Sequence, residues 1–512
     1  MYRPQGAVAF ACWLQSLQRS FQTQGGLLCL ECDFASQSWF KQRCCKLKAM
    51  ATDTTWTIEE QRLRRRIFWV AFVVRVAYLT LAHTYRVRAG EDHFGFGWEM
   101  GRIARALVTG FGYADPFNGH TGPTSWSPPL YVLLMAGVFK LFGVYSAMSA
   151  WVILVLNSAM SAATAFAVWE IARRCFNAKV ALWSGWLWAL HPAAMQYAVR
   201  WIWEMTASTF LLTWILVLAL RMREHGTKRR EQEAGSKEQG TNSSDQGWAA
   251  WFVFGLLWGV LALTSPTPLI LLPVVGLWIA WGPGFSVARL SRIALAGVVF
   301  CAVIAPWAAR NYCVFHAFIP LRGNFGAENY LGNGPWSVGF PWGTTVPLDD
   351  KATLREYTTL GERAWVLDRG AKASAWIGTH QTRFAELSLK RAYMFWAGVP
   401  HPLSDGALSE YIRLMSFQFL SLAGLMGVAL AVSRRIVFSS VMALAFVLLP
   451  ITYYLVTVQA RFRHPLEPLI CICGVYLFQS AEPGRFGRTV AARCAWLGRA
   501  TSRLRPFFTG AA

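Results

Sequence analysis

Charged residues are scarce in this chain. Of its 512 residues only 15% are charged, whereas 54% are hydrophobic. A soluble protein of this size carries about 25% charged residues. Several apolar stretches also reach the roughly 20 residues that a helix needs to cross about 30 Å of hydrocarbon. These observations exclude an ordinary soluble enzyme and predict a protein that crosses the membrane several times.

The common signatures of soluble catalytic sites are also missing. The sequence has no Walker phosphate loop, no dinucleotide-binding glycine fingerprint, no HExxH and no GxSxG. The pair Cys29 and Cys32 has the spacing of zinc ligands, but no second pair follows at a suitable distance. We therefore predict no metal site and no cofactor, and the sequence gives no sign that a soluble nucleotide is used directly.

Acidic residues are few compared with basic ones, 27 against 49, and the formal net charge is +22. Most basic clusters flank apolar segments, as the positive-inside rule and attraction to anionic lipids would arrange them. No nucleic-acid-binding motif accompanies them, so we expect membrane lipids rather than nucleic acid as the partner of this charge. Because Arg62 and Arg64–Arg66 precede the first apolar segment, the N-terminal side of that segment is predicted to be cytoplasmic.

The predicted fold is an all-α polytopic membrane protein, because backbone groups in lipid must be hydrogen-bonded within their own helix. Its integral unit is residues 50–480, flanked by a poorly ordered extension, 1–49, and a basic cytoplasmic tail, 481–512. Between the spans we expect a first outer loop at 86–147, a flexible cytoplasmic loop at 223–247 and a second outer loop at 314–405. About ten spans are predicted, at 67–85, 148–170, 179–198, 203–222, 248–264, 266–281, 293–313, 413–433, 436–456 and 465–480.

The apolar segment 129–145 is left out of these spans. It is short, begins at Pro128-Pro129 and carries Lys140. If it crossed, the basic pair Arg173-Arg174 would lie on the outer side, against the positive-inside rule. We therefore expect this segment to lie along the outer interface or to re-enter the membrane.

The first outer loop concentrates acidic residues beside the membrane. Glu91, Asp92 and Glu99 are candidates for a general base, since carboxylates at the mouth of a helical bundle can accept a proton when they face a cavity. The alternative is that they are solvated loop charges. His120, near the end of this loop, is a candidate to bind a phosphate or a hydroxyl, and the alternative is an ordinary surface histidine.

Further charged residues stand where predicted spans meet the outer face. Glu204 opens one span, Arg310 closes another, and Arg461, Arg463 and His464 open the last. Basic residues on the outer side run against the positive-inside rule, and a guanidinium pairs well with an anionic phosphate. We predict that these residues bind substrate. The alternatives are a dipole partner for Glu204 and anchoring to lipid headgroups for the basic residues.

Four segments in this order resemble the glycosyltransferase C superfamily, and most closely its family-39-like members, the protein O-mannosyltransferases and lipid A aminoarabinose transferases. They are IARALVTGFGY, PPLYVLLMAGVFKLFG, PWAARNY followed by FIPLRGNFGAENYLGN, and RFRHPLEP. The resemblance covers roughly 65–480. It implies transfer of a sugar from a polyprenyl-phosphate donor to a lipid, glycan or protein acceptor outside the cytoplasm, in a bacterial inner membrane.

The resemblance also implies a mechanism, a single inverting displacement in which a carboxylate removes the acceptor proton and basic groups stabilise the leaving phosphate. The family keeps an Asp-Glu pair just before its IAR-like helix. Here the nearest positions read Phe94-Gly95-Phe96-Gly97, so the base is assigned to the neighbouring acids, with Glu99 or Asp92 preferred.

Two other classes of function fit the same pattern of charges and aromatic residues. One is a transporter or flippase of lipid-linked sugars, although we find no internal repeat of the kind that transporters show. The other is a non-catalytic subunit of an envelope glycan assembly. Only the enzyme would move the sugar from the prenyl phosphate to a new acceptor.

Overall fold

The computed structural model describes residues 57–87, 95–235, 244–281, 287–339, 347, 350–399 and 407–481. The chain divides into two units, 1–57 and 58–512, and every helix below belongs to the second. The predicted extension 1–49 and all of the tail beyond 481 lie outside the described residues.

Helices make up the described part of the chain, in which no β-strand is formed. We number the α-helices α1 Ile58–Leu81, α2 Glu99–Val108, α3 Pro129–Phe142, α4 Ala147–Cys175, α5 Ala178–Leu190, α6 Pro192–Val199, α7 Met205–Gly235, α8 Ser244–Ala262, α9 Leu272–Trp281, α10 Val287–Phe315, α11 Phe325–Gly332, α12 Lys351–Leu360, α13 Glu362–Thr379, α14 Gln381–Ala397, α15 Ala407–Ser433, α16 Ser439–Leu455 and α17 Glu467–Ser480. A first 3-10 helix spans Thr267–Leu271 and a second spans Ala460–Leu466.

The predicted all-α membrane fold is confirmed, and each predicted span falls on one or two of these helices. Within the described residues, four helical stretches are long and apolar enough to cross a membrane: Ala147–Cys175, Met205–Gly226, Leu290–Phe315 and Tyr411–Ser433. Shorter apolar helices pack among them. Helices α15 and α17 approach closely, because a Cβ on Gly427 would stand only 1.9 Å from the carbonyl oxygen of Cys473, so only glycine allows this contact.

Helix α3 contains the segment that is predicted not to cross. Its 14 residues extend about 21 Å, which is less than the roughly 30 Å of hydrocarbon. Pro129 occupies the first turn, where its missing N–H costs nothing. The helix packs against α2 and α4. This length agrees with an interfacial or re-entrant position, which stays a prediction.

The predicted span 179–198 is two helices rather than one. Helix α5 ends at Leu190 and α6 begins at Pro192, because proline has no N–H to donate to the carbonyl four residues earlier. That carbonyl, on Trp188, instead accepts from Nη2 of Arg75 at 3.2 Å. Nη1 of Arg75 donates to the next carbonyl, on Ala189, at 2.7 Å. A fully buried arginine in α1 thus satisfies the broken end of α5.

We expect Arg75→Met to destabilise the protein, because it leaves two buried carbonyls without donors. Each such loss costs about 1–3 kcal/mol. Thermal unfolding of the purified protein in detergent should show a clearly lowered midpoint. The control is Arg66→Met on the exposed side of the same helix, which should leave the midpoint unchanged. Equal midpoints for the two variants would contradict this account of the helix break.

Candidate functional site

Five charged side chains from distant parts of the sequence converge at one place. They are Glu99 at the start of α2, Glu204 just before α7, Arg322 and Glu328 around the start of α11, and Arg461 in the second 3-10 helix. The Arg461 guanidinium lies within electrostatic range of the other four. We call these five residues the acid–arginine cluster. It holds the charge partners that a phosphorylated substrate and a general base require.

Arg461 is held against an aromatic surface. Its guanidinium carbon lies 3.4 Å from the ring centroid of Trp203, the residue before Glu204. A cation over the face of an indole is attracted by the ring quadrupole. The next residue, Phe462, stacks on Tyr453 of α16 with the ring centroids 4.4 Å apart. These contacts fix the direction in which the arginine enters the cluster.

Arg322 reaches the cluster from the segment between α10 and α11. Its Nε donates to the carbonyl of Trp126 at 2.8 Å, and its Nη2 pairs with Oε1 of Glu328 at 3.2 Å. Asn324 donates to the same carboxylate oxygen at 3.0 Å. The Arg322 and Glu328 side chains are about a third exposed. An ion pair this exposed is worth about 1 kcal/mol or less, so another anion can replace Glu328 as partner at small cost.

Glu99 has the electrostatic setting of a base. Burial raises the pKa of its carboxyl, and the nearby Glu328 raises it further. Arg322 and Arg461 oppose this rise, as does the backbone at the start of α2. A carboxylate with a raised pKa accepts a proton more readily than an ordinary surface glutamate.

Glu204 supplies the second carboxylate. It stands at the N-terminal end of α7, where its carbonyl accepts from Ser208 at 2.8 Å. Its side chain lies within electrostatic range of Arg461, Tyr131 and Tyr453. Glu204 therefore adds a second negative charge within electrostatic range of Arg461.

The wall of the site is the loop between α2 and α3, which is held from both sides. Glu362 of α13 accepts from the backbone N–H of Ser125 at 2.6 Å, from its hydroxyl at 2.7 Å and from Thr124. Tyr357 donates to the other carboxylate oxygen at 2.9 Å. From the opposite side, Arg310 donates to the carbonyl of Thr124 at 2.6 Å. The loop that carries the Trp126 acceptor of Arg322 is thereby fixed.

The structure brings together three of the residues predicted from the sequence, Glu99, Glu204 and Arg461. Glu91 and Asp92 lie outside the described residues. The other four candidates are engaged elsewhere. Arg310 donates to the carbonyls of Thr124 and Tyr113, the latter at 2.7 Å, and so holds the loop.

The remaining three also have other contacts. His120 is largely exposed, and its Nδ1 lies 3.0 Å from the buried carboxylate of Asp115. Arg463 is buried, with its Nε 2.6 Å from Oε1 of Glu467. His464 is fully buried between the rings of Trp188 and Tyr197. A binding role for these residues stays a prediction, and their contacts give each of them a structural task.

Two members of the cluster, Arg322 and Glu328, are absent from the sequence-based candidates. Both stand in the glycine-rich segment FIPLRGNFGAENYLGN. Arg322 could have been found by the argument that selected Arg310, since it too is a basic residue on the predicted outer side. Glu328 carries no such signal, because only the fold brings it to Glu99.

Comparison with known proteins supports the resemblance over one part of the chain. Residues 127–231, which include Glu204, match the family described as dolichyl-phosphate-mannose-protein mannosyltransferase. The predicted resemblance is confirmed by this match. No curated protein sequence matches the chain.

Several solved structures resemble the chain at low identity. An oligosaccharyltransferase of Archaeoglobus fulgidus in the apo form is 13% identical with a TM-score of 0.48, over 83% of this chain and 51% of its own. The same organism's AglB in complex with an inhibitory peptide and a dolichol-phosphate is 15% identical with a TM-score of 0.45, over 89% of this chain and 53% of its own. ArnT from Cupriavidus metallidurans bound to undecaprenyl phosphate is 14% identical with a TM-score of 0.35, over 84% of this chain and 82% of its own. The chain spans about half the length of the archaeal enzymes.

The two-sided hold on the loop predicts a stability effect at Glu362. Glu362→Ala removes the acceptor of several buried donors, so the free energy of unfolding should fall by roughly 2–5 kcal/mol. Thermal unfolding in detergent measures the change. Glu386→Ala, at an exposed ion pair with Arg383, is the control and should shift the midpoint little. A Glu362→Ala protein as stable as this control would show that the carboxylate does not hold the loop.

Proposed function

We propose that this protein transfers a glycosyl group from a polyprenyl-phosphate-linked sugar to an acceptor on the extracytoplasmic side of the membrane. The observation that carries the proposal is the acid–arginine cluster, which combines phosphate-binding cations with a carboxylate of raised pKa. The family match over 127–231 supports the same class of reaction. The acceptor is a lipid, a glycan or a protein, and membrane lipids surround the helices.

The donor phosphate is assigned to Arg461 and Arg322. When the sugar leaves, the bridging oxygen of the prenyl phosphate takes the bonding electrons and its negative charge increases. Guanidinium groups that are already in place stabilise this charge without reorganising, and each can bind two phosphate oxygens at once. Arg461 is fixed over Trp203, while Arg322 exchanges its Glu328 partner for the phosphate.

The base is assigned to Glu99. Its carboxylate takes the proton of the acceptor hydroxyl as that oxygen attacks the anomeric carbon, and the bond to the phosphate oxygen breaks on the opposite face. The sugar is transferred with inversion in a single displacement. Glu204 supplies negative charge near Arg461 and is available to hydrogen-bond sugar hydroxyls. Glu91 and Asp92 remain further candidates for the base.

The proposed orientation follows from the two ends of the bundle. Glu204 stands just before α7, and Arg221, near the far end of the apolar stretch Met205–Gly226 of that helix, pairs with Glu170 at 2.7 Å. Arg174 pairs with the same Glu170 at 2.9 Å. The positive-inside rule assigns this basic end to the cytoplasm, so the cluster faces outward. We place the protein in a bacterial inner membrane.

Transfer is tested with the full chain in lipid nanodiscs, radiolabelled polyprenyl-phosphate sugars and extracted membrane acceptors. The proposal expects free prenyl phosphate to appear while the label moves to a new species. Label that changes leaflet but stays on the prenyl phosphate would instead indicate a flippase. Label that neither moves nor changes leaflet would indicate a non-catalytic subunit.

Glu99→Gln should lower the transfer rate at least 100-fold, since general base catalysis contributes about 10²–10⁴-fold. Initial rates of label transfer measure this, and the exposed Glu386→Gln is a matched control that should retain the full rate. If Glu99→Gln also retains it, the base is another residue, and Asp92→Asn and Glu91→Gln become the next variants to measure.

The pH dependence of transfer gives a second test of Glu99. A base works only when deprotonated, so kcat/KM should fall as the pH drops through the pKa of this carboxyl. Because burial raises that pKa, the fall should be centred above the ordinary glutamate value of about 4.3. In Glu99→Gln the residual activity should lack this acidic limb. If the acidic limb of the pH profile is unchanged in Glu99→Gln, a group other than Glu99 causes it.

A further inference from the structure

The second 3-10 helix carries two arginines with different surroundings. Arg461 points into the acid–arginine cluster, whereas Arg463, two residues later, points into the helical bundle. The side chains of Arg463 and its partner Glu467 are only 1% and 2% exposed, with Nε and Oε1 2.6 Å apart. This buried ion pair joins the 3-10 helix that carries Arg461 to the first residue of α17.

Arg463 also joins the 3-10 helix to two neighbouring helices. Its Nη1 donates to the hydroxyl of Ser421 in α15 and lies 3.4 Å from the carbonyl oxygen of Phe417. The same nitrogen lies 3.5 Å from the carbonyl oxygen of Trp396, near the end of α14. The guanidinium carbon lies 3.2 Å from the ring centroid of Phe417. One side chain therefore fixes the 3-10 helix against α14, α15 and α17 together.

Such a pair is a poor source of stability. Removing two charges from water costs about as much as their attraction returns, and well-packed apolar replacements are often neutral or stabilising. The pair does restrict geometry, because a planar guanidinium accepts few arrangements of its partners. The ion pair and an apolar contact at the same place would therefore differ mainly in how they position the backbone that carries Arg461.

We propose that Arg463 and Glu467 are positioning residues that hold Arg461 over Trp203, in register to bind the donor phosphate. This inference rests on the proposed function, since it takes Arg461 as a phosphate ligand. It gives Arg463 a role in donor binding through Arg461, without contact between Arg463 and the phosphate.

The test compares binding and stability in the full chain in detergent, with farnesyl phosphate as a short polyprenyl-phosphate probe. The key variant is the double substitution Arg463→Met with Glu467→Leu, which replaces the pair by apolar side chains. Arg461→Met reports on the ligand itself. The control pair is Arg173→Met with Glu60→Leu, an ion pair of 3.0 Å on α4 and α1. Each protein is measured for its Kd and its unfolding midpoint.

We expect Arg461→Met to weaken binding at least tenfold, as for loss of a charge-assisted hydrogen bond. The double variant should weaken binding severalfold or more while its midpoint stays near that of the wild type, and the control pair should bind normally. Normal binding by the double variant beside weak binding by Arg461→Met would overturn the positioning role alone. Normal binding by Arg461→Met would remove the phosphate assignment in the proposed function and this inference with it.

A double variant that does not fold is replaced by Glu467→Gln, which keeps the shape and an acceptor oxygen but removes the charge. Weakened binding with a normal midpoint then supports the positioning role. Unchanged binding overturns it, because the ion pair has been lost without any effect on Arg461.

Discussion

A guanidinium inside an apolar helical bundle must find its hydrogen-bond acceptors within the protein, because no bulk water is available to supply them. This constraint organises much of the structure. Arg75 uses carbonyls that Pro192 leaves free at the end of α5. Arg391 of α14 does the same for the last turn of α16, where it donates to the carbonyls of Tyr454 and Leu455 at 3.2 and 3.1 Å. In both places a helix end is stabilised by an arginine from another helix.

The same constraint separates structural arginines from those that are suited to bind a ligand. Arg310 and Arg463 are engaged by carbonyls, a hydroxyl or a carboxylate inside the protein, and they hold a loop and a 3-10 helix in place. Arg322 also donates one N–H to a carbonyl, on Trp126, but its Nη2 is paired with the partly exposed Glu328, and Arg461 has acidic neighbours in the cluster. An exposed carboxylate partner such as Glu328 is exchangeable, whereas a buried backbone carbonyl is not. Arg322 and Arg461 are therefore the two arginines available to an incoming phosphate.

This distinction limits what the sequence could predict. The length of the apolar segments gave the helical membrane fold, and unusual charges on the predicted outer side led to Glu99, Glu204 and Arg461. The sequence could not separate Arg310 and Arg463 from Arg461, since all three are arginines at the predicted outer end of a span. What separates them is the set of acceptors around each, which depends on contacts far away in sequence. The break at Pro192 could have been predicted from the proline itself, whereas the arginine that satisfies the freed carbonyls, Arg75 of α1, depends on the fold.

The balance of charge in the cluster bears on the proposed reaction. Among the described residues it has three carboxylates and two guanidiniums, so an incoming phosphate meets an excess of negative charge. That excess falls when Glu99 accepts the acceptor proton, and in the proposed displacement this happens while the leaving phosphate gains charge. Burial favours the neutral form of Glu99, and so assists the proton transfer at that moment. An ordinary solvated glutamate could accept the same proton, but no burial would favour its neutral form.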